Sequence, residues 1–486
     1  MGIVVNQSLK NTITTYLGFG IGAVNTLFLY TNFITDEYYG LVAYILSAAN
    51  IMMPLVAFGA HNTIVKFYTS FKTKNSLNSF LTLMLFLPLV LSIPVAIVGY
   101  LAYDVIADIL SQKNEIVRGY LWYIFITALS MAYFEVFYAW MKVQMQTVFG
   151  NFMKEVFHRV GAMILLFAVF FKLITIDQFL VGIVGVYVFR AFVMMLYAFW
   201  KRLPVFRFNK IDKLSSILKY SSLIIIAGSI ATIILDIDKF MLNNYLDIET
   251  IAYYSVAVFI ATVIAVPQRA MHQILLPLTA KFLNENNQVE LKDLYQRSSL
   301  TLYIISGFIF LLIISNINAL YEIIPPEFSG GLVVVFLISI AKLYDNLLGN
   351  NNAILFNSDY YRVVLFFGVI LAVLAIVLNL ILIPIYGING SAIATFIAIV
   401  VYNSIKVYFV KAKFNMLPFT SETLKMTLVL IVLVFGFYFW EFPFNPYVNI
   451  TLKSLALGIL YTVIIYRLNV SEDISEAINT YLKLKR

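Results

Sequence analysis

VVLFFGVILAVLAIVLNLILIPIYGINGSAIATFIAIVVY, residues 363–402, contains no Asp, Glu, Lys or Arg. About 20 apolar residues rising 1.5 Å each cross the roughly 30 Å hydrocarbon layer of a bilayer, so this stretch reads as two membrane helices and a turn. Pro384 stops the first helix because it has no N–H to donate, and Gly387 and Gly390 permit a tight reversal. Runs of similar length recur on both sides, in residues 11–34, 41–60, 80–101, 117–140, 158–175, 178–200, 214–235 and 250–270. Six more follow in 298–316, 331–352, 362–384, 388–410, 423–441 and 447–466.

These runs predict an all-α integral membrane protein of about 14 transmembrane helices with no soluble catalytic domain. Composition agrees, since 62% of the 486 residues are hydrophobic and 12% charged, whereas about a quarter are charged in a soluble domain. A faint internal repeat relates the halves. Lys10 and Lys219 precede the first and seventh segments, which end in the acidic turns Asp36-Glu37 and Asp247-Ile248-Glu249. The expected organisation is two pseudo-symmetric lobes of six helices, 1–209 and 210–412, with two further helices and a tail in 413–486.

Lys and Arg collect in alternate gaps: Lys66, Lys72 and Lys74, then Lys201, Arg202, Arg207, Lys210 and Lys213, then Lys411 and Lys413. The opposite gaps offer little beyond Lys113 and Arg118. The positive-inside rule then predicts that both termini are cytoplasmic. The net charge of +8 is dispersed over these gaps, so no nucleic-acid partner is expected. The first apolar stretch is too long for a signal-peptide core and reads as a retained helix. Asn6 stands where a myristoylation signal needs Ser or Thr.

Zero cysteines exclude a disulfide framework and a thiol nucleophile, and His61, His158 and His272 have no partner at ligand spacing. They read as loop or helix-end residues. No metal site or cofactor is expected. Without a Walker A sequence, a nucleophile elbow or a dinucleotide fingerprint, transport would be driven by a gradient, with any coupling ion unidentified. The far-side gaps are too short for a sugar polymerase's catalytic domain.

Ionisable groups inside apolar segments are costly unless paired or hydrated, and so mark candidate sites. Lys342, Asp345, Asn346, Gly349 and Asn352 fall on one face of a helix; they would line a hydrated cavity, or Lys342 and Asp345 would pair with each other. Ser222, Ser229, Thr232, Asp236 and Lys239 repeat the pattern, with the alternative that the charges snorkel to the headgroups. Glu135 and Arg190 each need a partner on another helix. They could pair together, or Arg190 could meet phosphate oxygens. Arg269 and His272 would receive an anionic headgroup or serve topology. Gly18 and Gly22, with Asn25 one turn on, have the spacing of close helix packing; a bending helix would show the same glycines.

Pro384-Ile385-Tyr386-Gly387-Ile388-Asn389-Gly390-Ser391-Ala392-Ile393-Ala394-Thr395 resembles the P-x-Y-G-I-x-G-A-A-I-A-T turn of the polysaccharide-export branch of the multidrug/oligosaccharidyl-lipid/polysaccharide exporter superfamily. Tyr16-Leu17-Gly18-Phe19-Gly20-Ile21-Gly22, Asp36-Glu37-Tyr38-Tyr39-Gly40-Leu41 and Asp238-Lys239 resemble Wzx-type lipid-linked oligosaccharide flippases, and the likeness covers most of the chain. The resemblance implies a central cavity, alternating access and the flipping of undecaprenyl-diphosphate-linked sugars. Its expected partners are the lipid-linked oligosaccharide, membrane lipids and polysaccharide-assembly proteins. Drug exporters of the superfamily often hold an acid inside the first helix and lipid II flippases a base; residues 18–30 contain neither. An O-antigen or exopolysaccharide unit fits that pattern best, with cation-coupled drug export as the alternative.

Overall fold

The computed structural model describes residues 2–211 and 214–482. Lys213 of the expected topology signals lies outside these, as do the side chains of Ser229 and Thr232. Among the described residues every regular element is helical. In hydrocarbon a backbone N–H has no water to bond, and a helix satisfies each one within its own segment.

Eleven helices among the described residues are long and apolar enough to cross a membrane. One of these, Arg362–Phe414, covers two expected segments. Its backbone breaks at Gly387, whose φ of 58° and ψ of −134° lie in a region that L side chains avoid. Segments 158–175 and 214–235 also fall on helices, His158–Phe170 and Leu214–Leu242.

The chain divides into two compact units, one of Met1–Ser255 with Ile376–Ser391, the other of Val256–Ala375 with Ala392–Arg486. Phe80, Phe134, Phe137, Trp140 and Met194 pack the interior of the first. Leu291, Tyr295, Ile354, Leu355 and Val410 do so in the second. Lipid is as apolar as leucine, so close packing and internal polar bonds, rather than hydrophobic exclusion, hold such helices together. Side chains turned outward, such as Leu101 at 77% exposure, are the ones left to meet lipid.

Three departures from the expected helices bear on the site. The helix Leu332–Leu347 ends two residues before Gly349, whose φ is 52°, so Asn352 belongs to the next helix, Asn351–Asn357. The polar stripe is therefore divided: a left-handed glycine stops the helix that would have carried all five residues. Asn25–Leu29 and Met153–Phe157 each form a π-helical turn, a local widening that often marks functional positions. Finally, His158 lies inside the continuous helical stretch 148–170 rather than at a helix end.

Candidate functional site

Within the first unit, cations outnumber carboxylates. Lys154 Nζ donates to Glu135 Oε1 at 2.6 Å, and Arg159 Nη1 lies 3.4 Å from Glu155 Oε2 one helical turn away. The Glu135–Arg190 pair allowed by the sequence is not formed, because Lys154, presented from the π-helical turn, takes the carboxylate. Arg190 is 6% exposed and its guanidinium lies between the rings of Phe134 and Tyr187, at 4.3 and 4.7 Å from their centroids. Its Nε is buried with no hydrogen-bond partner. Lys142 Nζ sits 4.1 Å above the Tyr138 ring. Four cations, Lys142, Lys154, Arg159 and Arg190, thus stand against the carboxylates of Glu135 and Glu155, close enough for their charges to interact. Aromatic faces stabilise a desolvated guanidinium without neutralising it, which leaves its charge available to an anion.

Asn25 joins this group from the first helix, donating to the Arg159 carbonyl at 2.7 Å. Gly18 makes the approach possible: a Cβ there would come within 2.4 Å of the Glu155 carbonyl oxygen. Close packing is thus one of its roles.

Asp236 accepts from Ser47 at 3.1 Å and from Lys239 at 3.5 Å, the acid and base three residues apart meeting as their spacing allowed. Two residues on, Asp238 is fully buried. Tyr254 donates to its Oδ2 at 2.5 Å and Asn379 to its Oδ1 at 2.8 Å, while Ser391 donates to the Asn379 side-chain Oδ1 at 2.9 Å. Asn379 and Ser391 flank the Gly387 break, so this carboxylate anchors the turn quoted above. Asp238 enters the sequence reading only through the Asp238-Lys239 resemblance; two residues from Asp236, it lies on the opposite face of the helix.

In the second unit Asp345 accepts from Asn403 at 3.2 Å and lies close enough to Lys406 for their charges to interact. Lys406 is 1% exposed, donates to Asn352 at 3.0 Å and sits 4.2 Å from the Tyr402 ring centroid. A single Lys inside an apolar segment carries no sequence sign of the Asn352 and Tyr402 partners that other helices and turns bring to it. Asn346 turns away from Asp345 and donates to the Ile264 carbonyl at 2.6 Å. Lys342, half-buried, is one turn before Asp345, and Arg269 is exposed near the end of the span Ile248–His272.

A sequence profile described as polysaccharide biosynthesis protein matches residues 5–283. The chain belongs to the polysaccharide biosynthesis protein family. A comparison with curated proteins finds no match. Among solved structures, the lipid II flippase MurJ in an inward closed conformation superposes with a TM-score of 0.73 at 14% identity, over 95% of this chain and 99% of that one. A MATE transporter in complex with MaL6 gives 0.61 at 13% identity, over 85% and 96%. An inward-facing multidrug resistance MATE transporter of the MOP superfamily gives 0.60 at 14%, over 83% and 94%. At such identities the likeness establishes the fold. This polysaccharide biosynthesis protein is therefore a multi-pass, all-helical membrane protein with a MOP flippase-type fold, and the resemblance read from the Gly387 turn is borne out.

Proposed function

We propose that the chain flips an undecaprenyl-diphosphate-linked oligosaccharide, an O-antigen or exopolysaccharide unit, from the cytoplasmic to the periplasmic leaflet of a bacterial cytoplasmic membrane. It acts as a transporter and performs no covalent chemistry. The observation that carries this reading is Arg190, a buried guanidinium without an ion pair among the described residues, in a cluster with surplus positive charge. A diphosphate is a fitting complement: guanidinium binds phosphate oxygens in a planar fork, and in a low-dielectric interior each such bond is stronger than in water. The sugars need no dedicated pocket if the diphosphate is the group recognised. The direct test is a strain lacking the gene, which should accumulate lipid-linked oligosaccharide on the cytoplasmic leaflet. Normal periplasmic delivery in that strain would refute the proposal.

Topology gives an independent check. With both termini cytoplasmic, a periplasm-active reporter fused after Glu37, Asp177 or Glu327 is expected to be active, and one fused after Lys74, Lys210 or Lys413 inactive. The reverse pattern would place the substrate's entry on the wrong leaflet.

The Asp345–Lys406 group supplies the second unit's contribution to the transport path. Asp345→Leu and Lys406→Met are each expected to abolish flipping, and the double variant is expected to remain inactive at normal protein level. Recovery by the double variant in a complementation assay would instead mean that the two charges only neutralise each other.

A further inference from the structure

Between the helices Ile176–Lys201 and Leu214–Leu242, residues 203–211 form no regular structure. The segment nonetheless has a fixed course along the helix Lys74–Leu101. Arg202 Nη1 donates to the Tyr68 hydroxyl at 2.5 Å and Nη2 to Asn78 Oδ1 at 3.2 Å, and the Arg207 N–H donates to Thr82 Oγ1 at 3.2 Å. The rings of Phe206 and Phe208 lie 5.7 and 6.4 Å from that of Phe86. Asn78, Thr82 and Phe86 are one helical turn apart, so they form a stripe about 12 Å long that leads from the polar start of the helix into its apolar part.

This course places the segment at a membrane boundary. It leaves one span at Lys201 and is tied to the first turns of another, Lys74–Leu101. Trp200, Leu203 and Phe208 are 76%, 73% and 83% exposed. Apolar groups so open are costly in water, whereas rings set among basic residues suit the headgroup layer, where a long cationic side chain can reach the phosphates.

The charge is one-sided. Residues 60–79 and 196–211, the stretches that these contacts join, hold seven Lys and Arg and no Asp or Glu. Lys72, Lys74, Arg207 and Lys210 are exposed, and none of them forms an ion pair among the described residues. Lys201 Nζ sits 4.4 Å from the Trp200 ring centroid, a contact that stabilises the ammonium without neutralising it.

We infer that residues 200–210, with Lys72 and Lys74, form a docking surface for anionic phospholipid of the surrounding bilayer, the rings entering among the acyl chains and the cations taking the phosphates. A zwitterionic headgroup brings its own amine and leaves the surplus charge unanswered. Orientation in the membrane would account for the charges alone. It calls for neither the rings between them nor the contacts that lay the segment along a helix. The inference does not depend on the proposed function.

The chain has no cysteine, so Asn209→Cys, at an exposed position beside Phe208, takes a single environment-sensitive fluorophore on the full-length protein. Gly330→Cys carries the control label, because a Cβ there meets nothing within 4 Å and the residue lies outside the segment. Each protein is placed in nanodiscs of phosphatidylcholine with increasing phosphatidylglycerol. The Asn209→Cys label is expected to respond and saturate, and the Gly330→Cys label to stay flat. Arg207→Gln combined with Lys210→Gln should raise the half-saturating phosphatidylglycerol content about 25-fold, at about fivefold for each basic residue beside an anionic surface. A label at 209 indifferent to phosphatidylglycerol, equal responses at both positions, or an unchanged half-point in the double variant would each overturn the inference. A steeper response to undecaprenyl diphosphate at equal charge would also overturn it, by giving the surface to the carried lipid. Phe208→Ser, measured in phosphatidylcholine alone, should shift the 209 label toward a watery environment; no shift would mean that the rings do not enter the membrane, and the inference would fall.

Discussion

Arg190→Ala is expected to reduce delivery of lipid-linked oligosaccharide to the outer leaflet about a hundredfold, with protein present at the wild-type level. Two charge-assisted bonds from a guanidinium to a diphosphate contribute roughly 1.5–3 kcal/mol each, and every 1.4 kcal/mol corresponds to about a factor of ten. Arg190→Lys should recover only part of the activity, because an ammonium supplies the charge without the planar fork. Alanine also empties the space between Phe134 and Tyr187, so a packing effect must be separated from a binding effect. Arg190→Met makes that separation: it refills the space and removes the charge. If Arg190→Met flips substrate as wild type does, the guanidinium's role is packing alone and the proposed function loses its principal support.

The largest loss of stability is expected at Asp238. Asp238→Ala strands the Tyr254 hydroxyl and the Asn379 amide in a fully buried position, and each buried unsatisfied group costs about 1–3 kcal/mol, or about 2–6 kcal/mol together. The unfolding midpoint in detergent should fall sharply and folded yield with it. Asp238→Asn retains the shape and one acceptor, so its loss should be much smaller. An unchanged midpoint for Asp238→Ala would mean that the Gly387 turn is held by other contacts.

The membrane class was legible because length and apolarity alone decide whether a helix can cross a bilayer, and Gly387 was legible because its conformation excludes other residues. Partner choice was harder to read. Glu135 and Arg190 each lack an opposite charge within a turn, and the sequence allows both a mutual pair and a phosphate contact for Arg190. Lys154 reaches Glu135 from a π-helical turn that has no sequence signature, and aromatic rings hold Arg190. Lys406 and Asn352 meet across helices distant in sequence, and the glycine that separates Asn352 from Lys342 looked like part of their stripe. Acids two residues apart, Asp236 and Asp238, face different surroundings, a difference set by neighbouring helices and so invisible in a one-dimensional pattern.

The two π-helical turns, Asn25–Leu29 and Met153–Phe157, lie on helices that touch where Asn25 reaches the Arg159 carbonyl and Gly18 meets Glu155. A π turn accommodates one residue more than an α turn, and one residue of an α-helix corresponds to about 100° of rotation. Because each turn takes up its extra residue internally, shortening it by one would restore a regular helix without rotating the flanks. One residue added or removed in the α-helical stretch between Gly18 and Asn25 would instead swing one side by about that angle and part Asn25 from its carbonyl or Gly18 from Glu155. The two helices are threaded like a screw and its nut. Substitutions along them can be absorbed locally, whereas a one-residue insertion or deletion outside the two wide turns would strip the thread.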